Sequence, residues 1–393
     1  MKQSTFAPFA QPLYVMLKPV GAICNLRCNY CYYLEKKELY PEDKNYTMSD
    51  RLLEKFIEEY INSQSMPDVL FTWHGGEALM RNIGFYEKAL YFQKKYGRNH
   101  RIQNALQTNG TLLTDKWCKF FKDNDFLIGI SLDGPQHCHD KYRKTKDKRP
   151  SFYQVMKGIE LLKKHEVEFN ILAVVNDYNV NYPLDFYNFF KSLGVQFIQF
   201  SPIVERIGGE MAPWNVPADK WGDFLITIFD EWVKQDVGKT YIQIFDAMLA
   251  NWVGVEPGVC IFAKKCGHAG VMEFNGDVYS CDHFVYPKYK LGNIYSKTLI
   301  EMMHSPEQIK FGNDKYDLLP RQCKSCKYQF ACNSECPKNR IINTMDGEPG
   351  LNYLCEGFYK FYDHIAPYMD FMKNELSNER PPANVMEWIK NRL

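Results

Sequence analysis

Cysteines are the residues whose type and spacing point most clearly to chemistry. The chain has 393 residues and 13 cysteines, of which Cys24, Cys28 and Cys31 form one tight group. The loop that holds these three has no histidine or fourth cysteine to complete a tetrahedral zinc site. Three thiolates can instead hold three irons of a [4Fe–4S] cluster, which leaves the fourth iron open to a ligand. The spacing therefore favours such a cluster over an incomplete zinc knuckle or three buried thiols.

A second group of cysteines lies in the C-terminal third of the chain. Its members are Cys260, Cys266, Cys281, Cys323, Cys326, Cys332, Cys336 and Cys355. Eight thiolates suit two four-cysteine sites, and only Cys118 and Cys138 then stand apart. An odd cysteine count in a large chain argues against a disulfide framework, so metal ligation is the leading explanation. Structural zinc is the competing interpretation, because C-x2-C pairs are common zinc ligands.

Composition restricts the class of protein. With 45% hydrophobic and 15% aromatic residues the chain can bury a full core. Its formal charge of +1 gives no overall field that attracts nucleic acid or anionic lipid. No apolar run reaches the roughly 18 to 20 residues that a membrane span needs, and residues 1–8 lack the apolar core of a secretory signal. We therefore expect a globular cytoplasmic protein that binds neither nucleic acid nor membrane.

Short β-rich segments alternate with amphipathic segments over residues 14–234. The predicted strands are 14–18, 69–73, 103–108, 127–132, 169–175 and 197–201, and the predicted helices are 49–62, 83–96, 115–122, 151–164, 183–193 and 217–234. Six βα units in series predict a parallel sheet, either an open α/β sheet or a partial (β/α) barrel. In both, ligands gather where strands end, and there the chain has Lys18-Pro19, His74-Gly75-Gly76-Glu77 and Asn109-Gly110.

The three-cysteine loop, directly after a first strand, resembles the motif of radical S-adenosylmethionine (SAM) enzymes. That resemblance favours the partial barrel and implies that the open iron binds SAM, from which one electron releases a 5′-deoxyadenosyl radical. It assigns to SAM the residues Tyr30 and Val204 at the adenine, Gly76 at the ammonium group, Ser131 at the ribose or carboxylate and Arg143 at the carboxylate. In Gly75-Gly76-Glu77-Ala78, alanine replaces the proline that is usual in the family.

The C-terminal cysteines resemble the SPASM extension of some radical SAM enzymes. The resemblance implies one auxiliary [4Fe–4S] cluster on Cys260, Cys266, Cys281 and Cys336, and another on Cys323, Cys326, Cys332 and Cys355. The expected cofactors are therefore SAM and three [4Fe–4S] clusters, and the fully ligated auxiliary clusters should carry electrons without binding substrate. The expected fold is α/β, with a partial (β/α)6 TIM-like barrel at residues 1–236. A cysteine-rich SPASM domain with a closing helix near 352–372 is expected at residues 237–393.

Over nearly its whole length the chain is similar to anaerobic sulfatase-maturating enzymes. The motifs that carry the similarity are Leu17-Lys18-Pro19, the cysteine loop, residues 106–111, 131–135 and 168–172, and Cys281-Asp282. The similarity implies oxidation of a cysteine or serine in an unfolded sulfatase polypeptide to Cα-formylglycine. The radical would remove a β-hydrogen, Asp282 would take the thiol or hydroxyl proton, and an auxiliary cluster would accept the second electron. His283 is the second candidate for the base, and the implied electron donor is a protein such as flavodoxin or ferredoxin.

Two other functions are compatible with the same motifs. One is a different SPASM radical enzyme that crosslinks or epimerises ribosomal peptides, which would form no aldehyde on a sulfatase peptide. The other is a non-enzymatic, zinc-organised binding protein. Metal content separates the last from the rest, because three clusters require about 12 irons per chain.

Overall fold

The computed structural model describes residues 13–42, 46–267 and 269–391. Residues 1–8, on which the expectation of a cytoplasmic protein partly rests, lie outside this range. No helix within it is long and apolar enough to cross a membrane. The chain divides into two compact units: unit 1 takes the described residues of Met1–Ile130, Arg143–Phe169 and Cys266–Asn313, and unit 2 takes those of Ser131–Tyr142, Asn170–Lys265 and Asp314–Leu393. The domain boundary at residue 237 stays a prediction.

Six of the strands match the six predicted from the sequence, with ends within two residues of the expected ones. The strands of the described residues are β1 (Tyr14–Lys18), β2 (Asp68–Trp73), β3 (Arg101–Thr108), β4 (Phe126–Ser131), β5 (Phe169–Val175), β6 (Phe197–Pro202), β7 (Arg206–Ile207), β8 (Glu210–Met211), β9 (Tyr241–Ile242), β10 (Ala269–Glu273), β11 (Asp277–Tyr279), β12 (Lys290–Asn293), β13 (Ile342–Asn343) and β14 (Pro349–Leu351).

The predicted helices between these strands also form, and side-chain caps fix where several of them begin. At the first, Ser49 Oγ accepts a hydrogen bond from the Leu52 N–H at 3.2 Å. The helices of the described residues are α1 (Asp50–Asn62), α2 (Ile83–Tyr96), α3 (Asp115–Asp123), α4 (Gln136–Tyr142), α5 (Phe152–Lys164), α6 (Pro183–Ser192), α7 (Ala218–Gln235), α8 (Gln243–Val253), α9 (Leu299–Met303), α10 (Pro306–Asp317), α11 (Arg321–Lys324), α12 (Gln329–Cys332), α13 (Cys355–Ser377) and α14 (Val385–Lys390). The predicted closing helix is α13.

Unit 1 is built on a sheet in the order β12-β11-β10-β1-β2-β3-β4. Strands β1 to β4 are parallel, and β10 pairs in parallel with the other side of β1, which places Glu273 opposite Lys18. Strands β10, β11 and β12 are antiparallel to one another in turn. Because parallel strands end at the same edge of a sheet, Lys18, His74 and Asn109 all lie at one edge of unit 1.

Unit 2 contains the parallel strands β5, β6 and β9, with helices packed beside them. Helix α13 crosses α7 closely because both contribute a glycine: a Cβ on Gly222 would lie 2.7 Å from the carbonyl oxygen of Gly357. Val204 follows the end of β6 and is buried. The parallel strands, each followed by a helix, agree with the predicted α/β class.

Candidate active site

The three N-terminal cysteines lie in the loop after β1, each partly buried and none of them in a disulfide. Cys24 Sγ accepts hydrogen bonds from the Leu26 N–H at 3.3 Å and from Asn109 Nδ2 at 3.7 Å. Burial raises the pKa of Cys24 to about 11, and the charges of Glu77 and Cys31 act in the same direction. A thiolate here therefore needs a nearby cation, and the irons of a cluster supply one. The donor set fits the expected three-cysteine cluster site.

Gly76 holds this loop against the turn that follows β2. The Gly76 N–H donates to the Gly21 carbonyl at 2.8 Å, and the Glu77 N–H donates to the Ile23 carbonyl at 2.9 Å. A Cβ at position 76 would lie only 2.1 Å from the Ile23 carbonyl oxygen. Glycine is therefore required here by the close approach of the cysteine loop. Its assignment to the SAM ammonium group stays a prediction.

We expect Gly76→Ala to weaken SAM binding by at least about tenfold, because an overpacked site forces a backbone shift that typically costs about 1–3 kcal/mol. The shift falls on the cysteine loop, so iron bound per chain should drop as well. Gly84→Ala is the matched control, since a Cβ at that position in α2 meets nothing closer than Asn82 Oδ1 at 3.3 Å. Iron analysis and equilibrium dialysis with SAM measure both effects. Wild-type values for both would contradict the proposed steric role.

Glu77 is a site residue whose role the sequence did not indicate. Its carboxylate is buried and accepts hydrogen bonds from Thr108 Oγ1 at 2.7 Å, the Asn109 N–H at 2.8 Å and the Leu79 N–H at 2.9 Å. Burial raises its pKa, although these three hydrogen bonds oppose the shift. Asn109 Nδ2 in turn donates to Asn25 Oδ1 at 2.9 Å. Glu77 thus ties the turns after β2 and β3 to the cysteine loop.

Two of the residues assigned to SAM, Tyr30 of the cysteine loop and Arg143 after α4, lie close together. The guanidinium carbon of Arg143 is 5.6 Å from the centre of the Tyr30 ring, and both side chains are buried. The backbone fixes this arrangement, because the Arg27 N–H donates to the Lys144 carbonyl at 2.8 Å. The structure therefore brings Tyr30, Gly76 and Arg143 to one loop system within unit 1.

The other two residues assigned to SAM belong to unit 2. Ser131 is the last residue of β4, and Val204 lies two residues beyond β6. The Val204 carbonyl accepts a hydrogen bond from Lys338 Nζ at 2.9 Å, and the same ammonium group donates to Glu205 Oε1 at 2.5 Å. A lysine two positions after Cys336 thus anchors the loop that carries Val204.

Asp282 is held by two groups within unit 1. Its carboxylate forms an ion pair with Lys18 Nζ and accepts a hydrogen bond from the Tyr32 hydroxyl at 2.5 Å. Lys18 is completely buried, and its ammonium group lies 3.8 Å from the centre of the Tyr33 ring. Burial alone would raise the pKa of Asp282, but the charge of Lys18, followed by His74 and His283, outweighs burial and holds that pKa below its ordinary range. Asp282 is therefore a carboxylate, able to accept a proton.

The pKa of a second carboxyl group near Lys18 is shifted in the opposite direction. Glu273 is buried and accepts a hydrogen bond from the Tyr33 hydroxyl. Burial raises the pKa of Glu273 to about 7, although Lys18 opposes the shift. The environment thus shifts the pKa values of the two carboxyl groups in opposite directions, and the negative charge stays on Asp282.

Two histidines complete the surroundings of Asp282. The centre of the His283 ring lies 5.1 Å from the centre of the Tyr32 ring. His74 Nδ1 accepts a hydrogen bond from the Gly75 N–H at 2.7 Å. Burial and then the charge of Lys18 lower the pKa of His74 to about 4, so its imidazole is neutral near pH 7. The sequence predicted that His74 lies at this edge but indicated no role for it. His283 remains the second candidate for the base.

One of the predicted auxiliary cysteine sets is assembled within unit 2. Burial raises the pKa of Cys332 to about 12, and the charges of Cys355 and Cys323 add to the effect. Burial likewise raises the pKa of Cys355 to about 12, with Cys323 and Cys326 adding to it. The four sulfurs are therefore linked by electrostatic interactions, and their assignment to one cluster stays a prediction. Among the described residues, no group of three or more His, Cys, Asp or Glu side chains is placed so that it could hold a single metal ion.

The members of the other predicted set are divided between the two units. Cys266 and Cys281 belong to unit 1, and Cys260 and Cys336 belong to unit 2. The Cys260 carbonyl accepts a hydrogen bond from Lys315 Nζ at 2.6 Å, and Lys315 is buried. Their assignment to one cluster stays a prediction.

Comparison with known proteins agrees with this site. The model of the radical SAM superfamily matches residues 19–190, and that of the SPASM iron-sulfur cluster-binding domain matches residues 266–327. These matches confirm that SAM and iron–sulfur clusters are the cofactors of the fold. Together with the solved structure described next, they confirm the predicted α/β radical SAM barrel with a SPASM domain.

Relatives of known type cover essentially the whole chain. The serine-type anaerobic sulfatase-maturating enzyme of Bacteroides thetaiotaomicron is 64% identical over 100% of this chain and 98% of its own length. The cysteine-type enzyme of Clostridium novyi is 35% identical over 93% of this chain and 98% of its own length. The solved structure of native anSMEcpe with bound AdoMet and Cp18Cys peptide is 31% identical, with a TM-score of 0.83 over 93% of this chain and 100% of that one. The chain therefore belongs to the anaerobic sulfatase-maturating enzymes of the radical SAM superfamily.

Proposed function

We propose that this enzyme oxidises a serine of an unfolded sulfatase segment to Cα-formylglycine, and that it also accepts cysteine at that position. The observation that carries the proposal is the Asp282 carboxylate, kept ionised by the buried Lys18 in the unit that also holds the three-cysteine loop. The preference for serine is supported by the 64% identity to a serine-type enzyme, against 35% to a cysteine-type one.

The cysteines account for three [4Fe–4S] clusters. Cys24, Cys28 and Cys31 hold the cluster with the open iron, and the two C-terminal sets hold the auxiliary ones. When bound, the first cluster and SAM supply the 5′-deoxyadenosyl radical. Tyr30, Gly76, Ser131, Arg143 and Val204 orient SAM, with the Arg143 guanidinium pairing with its carboxylate. A reduced flavodoxin or ferredoxin delivers the electron that starts the reaction.

Asp282 removes the proton that the substrate must lose. The serine loses one hydrogen atom from Cβ, one electron, and one proton from its hydroxyl, which Asp282 accepts, and a C=O double bond remains. An auxiliary cluster on the C-terminal cysteines would supply the acceptor for the electron. A cysteine loses the same three particles to give a thioaldehyde, which water converts to the same aldehyde with release of hydrogen sulfide. The buried Lys18 keeps Asp282 in the form that accepts the proton.

Peptides matched at a single position test the function. Anaerobically reconstituted enzyme, SAM and reductant should convert a serine peptide to a product lighter by two hydrogen atoms, which a hydrazide reagent captures as an aldehyde. The cysteine peptide should give the same product more slowly, and the alanine peptide none. A crosslink or an inverted α-carbon without aldehyde would instead support the other kind of SPASM enzyme. If the cysteine peptide reacted faster than the serine peptide, only the proposed preference for serine would be contradicted.

A further inference from the structure

We propose that His74 donates a hydrogen bond from Nε2 to the side-chain oxygen of the substrate and thereby favours serine over cysteine. The inference rests on the proposed function. His74 immediately follows β2 at the edge of unit 1 where Lys18 also lies. It would be a catalytic residue additional to Asp282.

The tautomer of His74 is set by its own backbone. Because Nδ1 accepts the Gly75 N–H at 2.7 Å, the hydrogen of the neutral ring must lie on Nε2. His74 as a residue is only partly buried, and over the described residues the structure records no hydrogen bond from Nε2. A positioned donor is thus left available to a ligand.

The groups around the ring show what that ligand would meet. His74 lies within electrostatic reach of Lys18, Asp282 and His283. Lys18 is committed to its ion pair with Asp282 and is completely buried. A hydroxyl group placed between His74 and Asp282 could donate its proton to the carboxylate and accept a hydrogen bond from the imidazole. These are the two interactions that a substrate serine needs.

The chemistry of the substrate oxygen explains the expected selectivity. After Cβ has lost a hydrogen atom and the hydroxyl has lost its proton, the oxygen carries negative charge until the electron leaves. A fixed N–H donor aimed at that oxygen stabilises the charge as it develops, an effect worth about 10²–10³-fold in rate at other oxyanion sites. Sulfur is a much weaker hydrogen-bond acceptor, so a cysteine substrate gains far less from the same donor.

Two substitutions separate this role from a structural one. In His74→Asn the side-chain oxygen can still accept the Gly75 N–H, but no donor reaches the Nε2 position. In His74→Gln the longer side chain carries an amide donor to about that position. We expect His74→Asn to lower kcat/KM for the serine peptide by about 10²–10³-fold and for the cysteine peptide by less than tenfold. His74→Gln should recover most of the loss with serine.

Three results would be decisive. A selective loss with serine, recovered by His74→Gln, supports the donor role. An equal loss with both peptides, or no loss with either, overturns it, provided that each variant binds SAM and iron like the wild type. If the wild type itself forms no aldehyde from either peptide, the proposed function has failed. The donor role is then tested by peptide binding: it is overturned as well if the His74→Asn variant binds the unreacted serine peptide as tightly as the wild type does.

Discussion

Asp282→Asn is expected to lower aldehyde formation by about 10²–10⁴-fold, the usual contribution of a general base, while 5′-deoxyadenosine formation continues. Asparagine has nearly the same shape and can still accept the Tyr32 hydroxyl, but it cannot take a proton from the substrate. The residues assigned to SAM are unchanged, so radical formation should persist without yielding product. Parallel assays of 5′-deoxyadenosine and of hydrazide-captured peptide measure the two steps separately.

The control for this variant must remove a comparable carboxylate elsewhere. Like Asp282, Asp236 in unit 2 is bound to a lysine, with Lys191 Nζ at 2.6 Å, and accepts a hydrogen bond from a tyrosine, the Tyr187 hydroxyl at 2.8 Å. Asp236 is buried, whereas Asp282 is only partly buried. Asp236→Asn removes the same kind of ion pair, so it should test for any general loss of stability while leaving product formation unchanged. Unchanged product yield in Asp282→Asn would exclude Asp282 as the base and move the role to His283.

The elements that the sequence predicted are those whose signals are local. The six strands and the helices between them follow from apolar periodicity and from caps such as Ser49, and both are confirmed within a few residues. The three-cysteine loop was recognisable because all three thiols lie within eight residues of chain. Local patterns of this kind do not depend on how distant segments pack.

The features that the sequence did not reveal depend on pairing between distant segments. Lys18 ends a strand, where a lysine is ordinarily exposed, and its complete burial follows from the parallel pairing of β1 with β10 and from Asp282 beyond it. Glu77 follows two glycines and resembled a turn residue, whereas its carboxylate accepts hydrogen bonds from Thr108 and Asn109 and so holds the turns after β2 and β3 together. Nothing near either residue in the sequence indicates these partners.

Cys24→Ala is expected to lower 5′-deoxyadenosine formation by more than about 10³-fold and iron content from about 12 to about 8 per chain, because one four-iron cluster is lost. The loss follows from the donor set: with Cys24 gone, only Cys28 and Cys31 remain, and two thiolates cannot hold three irons. Iron analysis and SAM cleavage, both performed on anaerobically reconstituted protein, measure the two effects.

Cys118→Ala is the matched control for this loss, because burial raises the pKa of both Cys24 and Cys118 to about 11 but only Cys24 belongs to a cysteine group. It should keep its full iron content and SAM cleavage. Cys332→Ala gives the complementary result: removing a ligand of the auxiliary set in unit 2 should also lower iron content but leave the three-cysteine site able to cleave SAM. If Cys24→Ala cleaved SAM normally, the site of radical formation could not be the loop after β1. If Cys332→Ala lost SAM cleavage as completely as Cys24→Ala, the assignment of SAM cleavage to the three-cysteine loop alone would be wrong.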